Sequence, residues 1–452
     1  MTAALLCILA LIATYLAGRR SLGVGLIGLF TFGYFYGIIR ANMPVAASHF
    51  IFDAALLGLY ASQKWSGVKN STRSGGLSAW LLLLGLWPAL IIFMPFQPLL
   101  VSLVGFRGAV FFLPMALFGS RMKERDLYQL SMGLSALNLA VLAFAGAEYF
   151  LGIERFFPLN AVTALIYGSA DVAGGFNRIP ATFVTAHAYG GSMVASLPFL
   201  IGIWDQAQQR LVRLTAVVGI AAAFLGILLS ATRVNFVLSA ALVFVAIFNP
   251  RMKASRRAIF LVFIVGMMAL ALSNERLQRF KTLSDSDSVE ERIAGSVNRG
   301  FFEILIEYPM GNGLGGGGTS MPYFLQGQVR NPVSMENEYA RILSEQGIIG
   351  LVLWLGFIVW FLSRSRQILT KGRWATCRRL IWVTSVTGLI SGVIGTGMLT
   401  SIPATAILLL GMGFLASPAP AEEPEGRRTV GVKQTVLAPG LYQPVPALRS
   451  EI

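Results

Sequence analysis

Long apolar runs separated by short clusters of Lys and Arg dominate this sequence. A transmembrane helix needs about 20 mostly apolar residues, with about 17 as a practical minimum. Runs of that kind recur from the N-terminus to residue 416. The expected fold is therefore all-α, a polytopic transmembrane helical bundle. Composition agrees: 55% of the residues are hydrophobic and only 13% charged, with mean hydropathy +0.67, whereas a soluble protein carries about a quarter charged residues. Disordered and collagen-like chains lack such runs. The net charge of +15 raises nucleic-acid binding, but most of the Lys and Arg sit between the apolar runs, where membrane topology accounts for them. Cys7 and Cys377 imply neither a disulfide framework nor a zinc site. Arg19 and Arg20 follow the first apolar run instead of preceding it, so that run reads as a retained span and not as a signal peptide.

About 12 to 13 spans are expected. They cover roughly 2–18, 22–39, 49–61, 77–94, 99–119, 127–147, 186–204, 211–230, 234–248, 258–272, 347–362, 380–397 and 400–416. Alternate connections carry the positive clusters: Arg19/Arg20, Lys64/Lys69/Arg73, Arg121/Lys123/Arg125, Arg210/Arg213, Arg251/Lys253/Arg256/Arg257, and the run from Arg364 to Arg379. By the positive-inside rule that side is cytoplasmic, which puts the N-terminus outside. The chain then divides into N-terminal transmembrane helices (1–147), an extracytoplasmic loop (148–185), central helices (186–273), a large, partly helical extracytoplasmic loop (274–346), C-terminal helices (347–416) and a Pro-rich disordered cytoplasmic tail (417–452). The large loop holds nearly half of the 21 acidic residues, and loops of that length are usually functional or disordered. No internal repeat is visible, which weakens a secondary-transporter reading.

The loop ends in Met335-Glu336-Asn337-Glu338-Tyr339-Ala340-Arg341, continues through Glu345-Gln346-Gly347-Ile348-Ile349-Gly350, and runs straight into a span. With Ser334 as N-cap, Glu336 and Asn337 fall in the first helical turn at the outer membrane surface. Spacing alone allows a plain reading, in which the Glu complements the helix dipole and Glu338–Arg341 and Arg341–Glu345 are surface pairs. The segment also resembles the membrane-bound O-antigen ligase and polysaccharide polymerase superfamily. Its ligases place a His, then Asn, Ser or Gln, nine residues, Gly, two residues and often Gly here; Asn337, Gly347 and Gly350 fit, and Glu336 stands in the place of the His. Polymerases of the family commonly lack that His. Arg178 to Phe183 followed by His187 resembles the segment entering the family's central helices, Ser230-Ala231-Thr232-Arg233 its Ser/Thr-Arg outer helix end, and Arg292 with Pro309 to Gly315 its loop pattern.

The resemblance implies an enzyme of the bacterial cytoplasmic (inner) membrane with its active face outside, a membrane glycosyltransferase of the polymerase/ligase type. It would move glycan from a polyprenyl-pyrophosphate carrier to an acceptor sugar, with no metal, no cofactor and no nucleic acid. Other polysaccharide assembly proteins are candidate partners. The residues suit that chemistry, since Arg178, Arg233 and Arg292 lie at or above the outer face and a guanidinium binds phosphate oxygens in a fork. Glu336, Arg233 and Arg292 are the expected catalytic residues, Glu336 as base and the arginines as stabilisers of the departing pyrophosphate. Arg107, Arg178, Asn337 and Glu338 are expected to bind substrate, with Glu338 a competing base. Arg107 is ionisable at membrane depth and so a functional candidate. Snorkelling is its plain alternative, as helix-end anchoring is for Arg178 and Arg233. Asp53 is available to pair with one of these arginines. Ligase-type transfer to lipid A core or protein, a transporter without catalysis, and a noncatalytic assembly role remain as alternatives. Asp285-Ser286-Asp287 looks like a metal motif, yet the following Ser288-Val289-Glu290-Glu291 reads as a capping box. Gly311, Gly313 and Gly316 lack the βαβ setting of a dinucleotide site, and the run through Gly318 reads as a mobile loop offering N–H groups to an anion. His187 reads as a polar contact in the bundle.

Overall fold

The computed structural model describes residues 1–63, 75–168, 177–248, 252, 254–273, 301–317, 321–333, 337–365, 373–395 and 397–417. Arg292, Glu336, the Asp285–Asp287 motif and the expected tail beyond 417 lie outside the described residues. The description below concerns the compact unit Met1–Pro420.

Every element among the described residues is helical, with no strand. In order they are α1 (Thr2–Arg20), α2 (Leu22–Tyr34), α3 (Tyr36–Asn42), α4 (Ile51–Ser62), α5 (Gly75–Ile91), α6 (Leu99–Val110), α7 (Pro114–Arg121), α8 (Glu124–Leu151), α9 (Ala164–Gly168), α10 (Ala186–Gln206), α11 (Arg210–Leu229), α12 (Arg233–Ile247) and α13 (Ala254–Ser273). The rest are α14 (Phe301–Glu307), α15 (Tyr323–Gln326), α16 (Glu338–Ser363), α17 (Ala375–Ser391) and α18 (Ala404–Ala416). Among the described residues, six helical stretches are long and apolar enough to cross a membrane, or up to seven if the pair α2–α3, bent by 42°, is counted as one span. That is fewer than the 12 to 13 expected, because several apolar runs are cut short. The run at 49–61 opens with a 3-10 turn, Ala46–Phe50, before α4, and α18 starts only after Pro403. Runs 46–62, 76–91, 233–247 and 404–416 give helices of 10–17 residues, short of the about 20 that a span requires.

Local chemistry sets the helix starts. Ser21 accepts from Val24 N at 3.2 Å to cap α2, and Thr185 accepts from Ala188 N at 3.2 Å to cap α10. Asp126 accepts from Lys123 N at the start of α8 and, through Oδ1, from Gly23 N at 2.9 Å, tying α8 to α2. Burial then orders the bundle: 89% of the α10 span is buried against 22% of α1, so α10 is central and α1 peripheral. Small residues allow close crossings around α10 and α11, as Gly226 faces the Tyr189 hydroxyl and Gly219 faces Ser135.

The end expected to be cytoplasmic is closed by ion pairs and one arginine clasp. Asp205 of α10 meets Arg256 of α13 and accepts from Thr376 Oγ1 at 2.9 Å. Arg378, counted above as part of a basic loop, instead lies buried in α17. It donates to the carbonyls of Phe414 (3.0 Å), Leu415 (3.0 Å) and Ser417 (2.7 Å), capping the end of α18. A cation at a helix C-terminus satisfies orphan carbonyls and opposes the helix dipole.

Candidate functional site

The opposite end of the bundle holds those residues singled out from the sequence that the structure describes, which leaves out Glu336 and Arg292. Helix α16 begins at Glu338, later than the expected start near Met335, because Asn337 and not Ser334 is the cap. Its Oδ1 accepts from Tyr339 N (2.9 Å) and Ala340 N (3.2 Å). At Gly347 the helix breaks, with φ 68° and ψ −170°. A Cβ there would lie 2.5 Å from the Met310 carbonyl carbon. Residues 338–346 thus form a short separate helix at the mouth of the longer one, and the boundary expected between loop and span at 346/347 falls at this break.

That short helix is buried, not superficial. Arg341 is bonded to Glu338 (Nε–Oε1 3.1 Å) and Glu345 (Nη1–Oε2 2.7 Å), and the three residues are 3%, 0% and 1% exposed. The expected pairs therefore exist, but the surface assignment is corrected. Burial comes from distant segments: Glu338 N donates to Gly392 O and Glu338 Oε2 accepts from Gly397 N, both at 2.8 Å. On the other side lies the glycine run. Gly311, Gly313 and Gly315 hold φ values of 82–88°, residues 311–317 are buried, and Asn312 N donates to Ser344 O while Ile348 N donates to Pro309 O. Gln97 joins the run through Nε2 to Asn312 O at 2.9 Å. The expectation of a mobile anion loop gives way to a packed wedge, because left-handed glycines let its backbone sit against α6 and α16.

Ser230-Ala231-Thr232-Arg233 forms a corner between α11 and α12, with Ala231 at φ 48°. Ser230 Oγ and Thr232 Oγ1 lie 2.9 Å apart, Asn235 Nδ2 donates to Thr232 Oγ1 (2.9 Å) and His187 O (3.2 Å), and all three side chains face Gly190 of α10. The next glycine, Gly191, faces Ala404 at the head of α18, in the segment whose Gly397 holds Glu338. A continuous set of contacts thus joins the Arg233 corner to the Glu338 helix. The half-buried Arg178 precedes a strap pinned by Ala181 N to Glu148 Oε2 (2.9 Å), Ile38 N to Thr182 O (3.0 Å) and Phe183 on Gly37. The Nε atoms of Arg178 and Arg233 are buried without a hydrogen-bond partner, and neither arginine has an ion pair among the described residues. Arg107 pairs with Asp53, Nε to Oδ2 at 2.8 Å, as the sequence allowed. No hydrogen bond or ion pair joins Arg107 to Arg178, Arg233 or Glu338 among the described residues.

Residues 216–355 match the family Wzy_C, described as O-antigen ligase. That stretch, under a third of the chain, is similar to an O-antigen ligase domain. No curated protein matches the chain. The Wzy_C match takes in the Ser230–Arg233 corner, the glycine run and the Glu338–Gln346 helix, and leaves Arg107 and Arg178 outside. The similarity of this stretch points to glycan transfer at a membrane, in keeping with the long apolar helices among the described residues. Sequence reasoning passed over Arg40, which directly follows an apolar run as Arg107 interrupts one; an ionisable group at membrane depth was the available signal.

Proposed function

We propose that this protein polymerises cell-surface polysaccharide of the O-antigen or exopolysaccharide kind, transferring glycan from a polyprenyl-pyrophosphate carrier to an acceptor sugar at the outer face of the cytoplasmic membrane. The observation that carries the reading is that the Arg233 corner and the Glu338-headed helix, both within the matched residues, are linked through Gly190–Gly191 and the Gly397–Ala404 segment. In this mechanism the acceptor hydroxyl attacks the anomeric carbon from the face opposite the pyrophosphate. Its proton passes to Glu336 as the C–O bond to pyrophosphate breaks, inverting the centre. Arg233 and Arg178, which lack carboxylate partners among the described residues, take the charge developing on the leaving pyrophosphate, with Arg292 as a further cation. Both Glu338 carboxylate oxygens are already engaged, so the base role rests with Glu336, and Glu338 with Asn337 holds the helix start that follows it in the sequence.

The ligase description of the matched family favours a second reading, transfer of finished glycan to lipid A core or protein. Glu336 in the place of the ligase His supports polymerisation instead. The test is the size distribution of carrier-linked and surface glycan in a deletion strain complemented with wild type, Glu336→Gln or Arg233→Ala at equal membrane levels. Both variants are expected to leave single repeat units where wild type restores long chains. Long chains left unattached on the carrier identify a ligase, and normal chains from both variants remove the catalytic assignment.

A further inference from the structure

A second cationic group stands outside the matched domain, where α3, α4 and α6 meet. Arg40 Nη2 lies 3.4 Å from His49 Nε2, and its guanidinium stacks over the Tyr36 ring at 5.1 Å. The guanidinium of Arg107 lies over the Phe50 ring at 5.7 Å. The Tyr36 hydroxyl donates to His49 O at 2.8 Å, fixing the turn between the two cations. Tyr323 and Phe324 of α15 close on the His49 ring, with centroids at 5.7 and 5.4 Å.

Charge counting gives this group its meaning. Asp53 neutralises Arg107, but Arg40 has no carboxylate partner among the described residues, and its Nε is buried with no hydrogen-bond partner. With His49 neutral, one positive charge is left over. An uncompensated guanidinium held among apolar helices is costly, and a phosphate oxygen pair matches its fork. The neighbouring surface is apolar in a matching way. Leu99 and Leu103 lie two turns and one turn before Arg107 on the same face of α6, 65% and 46% exposed.

We propose that Arg40 and Arg107, flanking His49, form an anion site for the phosphate head of a membrane lipid whose chain lies along Leu99 and Leu103. The headgroup oxygens accept from the free edge of Arg40, and Arg107 remains anchored by Asp53. A bulk phospholipid and a polyprenyl pyrophosphate share this chemistry. Arg40 and His49 have no part in the glycan-transfer assignment, whereas Arg107 is a residue expected from the sequence to bind substrate.

The test is native mass spectrometry of the purified full-length protein in neutral detergent, titrated separately with phosphatidylglycerol, polyprenyl pyrophosphate and uncharged diacylglycerol. Arg40→Gln is expected to weaken one or both phosphate lipids by about tenfold and to leave diacylglycerol unchanged. The lipid affected tells a bulk phospholipid from a carrier. An Arg40→Gln protein of wild-type thermal stability that binds both phosphate lipids as wild type does overturns the proposal. If Arg40→Gln does not fold, Arg40→Lys decides, since an ammonium cannot reproduce the fork: wild-type affinity overturns the site, and a clear loss supports it. The chain-length assay with Glu336→Gln is a separate readout, so failure of either reading shows independently.

Discussion

Arg341 shows how position along a helix can be legible while environment is not. The i, i+3 and i, i+4 spacings to Glu338 and Glu345 identify both partners from the sequence. Burial depends on Gly392, Gly397 and the glycine run, 45 to 60 residues away on one side and about 30 on the other, and no local pattern announces them. The consequence is energetic, because breaking a buried ion pair by removing one partner costs about 3–5 kcal/mol, whereas replacing the whole set with apolar residues is often neutral. Arg341→Met is therefore expected to lose folded protein in detergent-extracted membranes, read by fluorescence size-exclusion chromatography. The triple change Glu338→Leu, Arg341→Met, Glu345→Leu should recover part of that loss; a triple variant worse than Arg341→Met contradicts the burial argument. Arg378 makes a parallel case at the other end. Its three carbonyl contacts lead to an expected loss of about 2 kcal/mol for Arg378→Gln, seen as a lower midpoint of thermal unfolding, with Arg378→Lys intermediate.

At the scale of elements, apolar runs located the helices, and the Asn337–Gly347–Gly350 spacing located the junction of loop and span. The break itself was not legible. A helix pattern continues through Gly347, and only contact with Pro309 and Met310 explains why the chain turns there. The same limitation explains the span count, since a 3-10 turn or a late start after Pro403 leaves hydropathy untouched. The backbone at Gly347 occupies a region essentially restricted to glycine, where another residue costs about 1–3 kcal/mol even before any clash. Gly347→Ala is expected to reduce folded protein, whereas Gly146→Ala, at a helical glycine with nothing within 4 Å of its Cβ position, should be tolerated or mildly stabilising. Thermal unfolding of the two variants side by side separates a special backbone from a generic glycine effect.

For the whole molecule, the positive clusters assign Arg155 and Arg210 to opposite faces, and both are exposed. In intact cells, a cysteine replacing Arg155 is expected to react with a membrane-impermeant maleimide, and one replacing Arg210 only after the membrane is breached. Equal labelling of both in intact cells reverses the topology argument. Charge patterning is what predicts this sidedness, and short motifs pointed to the region of the candidate site. The assembly of that site was hidden because its pieces come from residues 97–105, 187–191, 230–235, 311–317, 338–347 and 392–404, joined only by tertiary contact. Gly311 and Gly347 carry one consequence further. A side chain at either would strike the backbone of the other, at 2.7 Å from Gly347 N in one direction and 2.8 Å from Gly311 N in the reverse. The two positions form a reciprocal lock, so their substitutions should be epistatic. Once one alanine has pried the segments apart, the second meets less resistance, and a double-mutant cycle should show a combined loss smaller than the sum of the two. Once one of these glycines is lost, only its own left-handed backbone still holds the other to glycine.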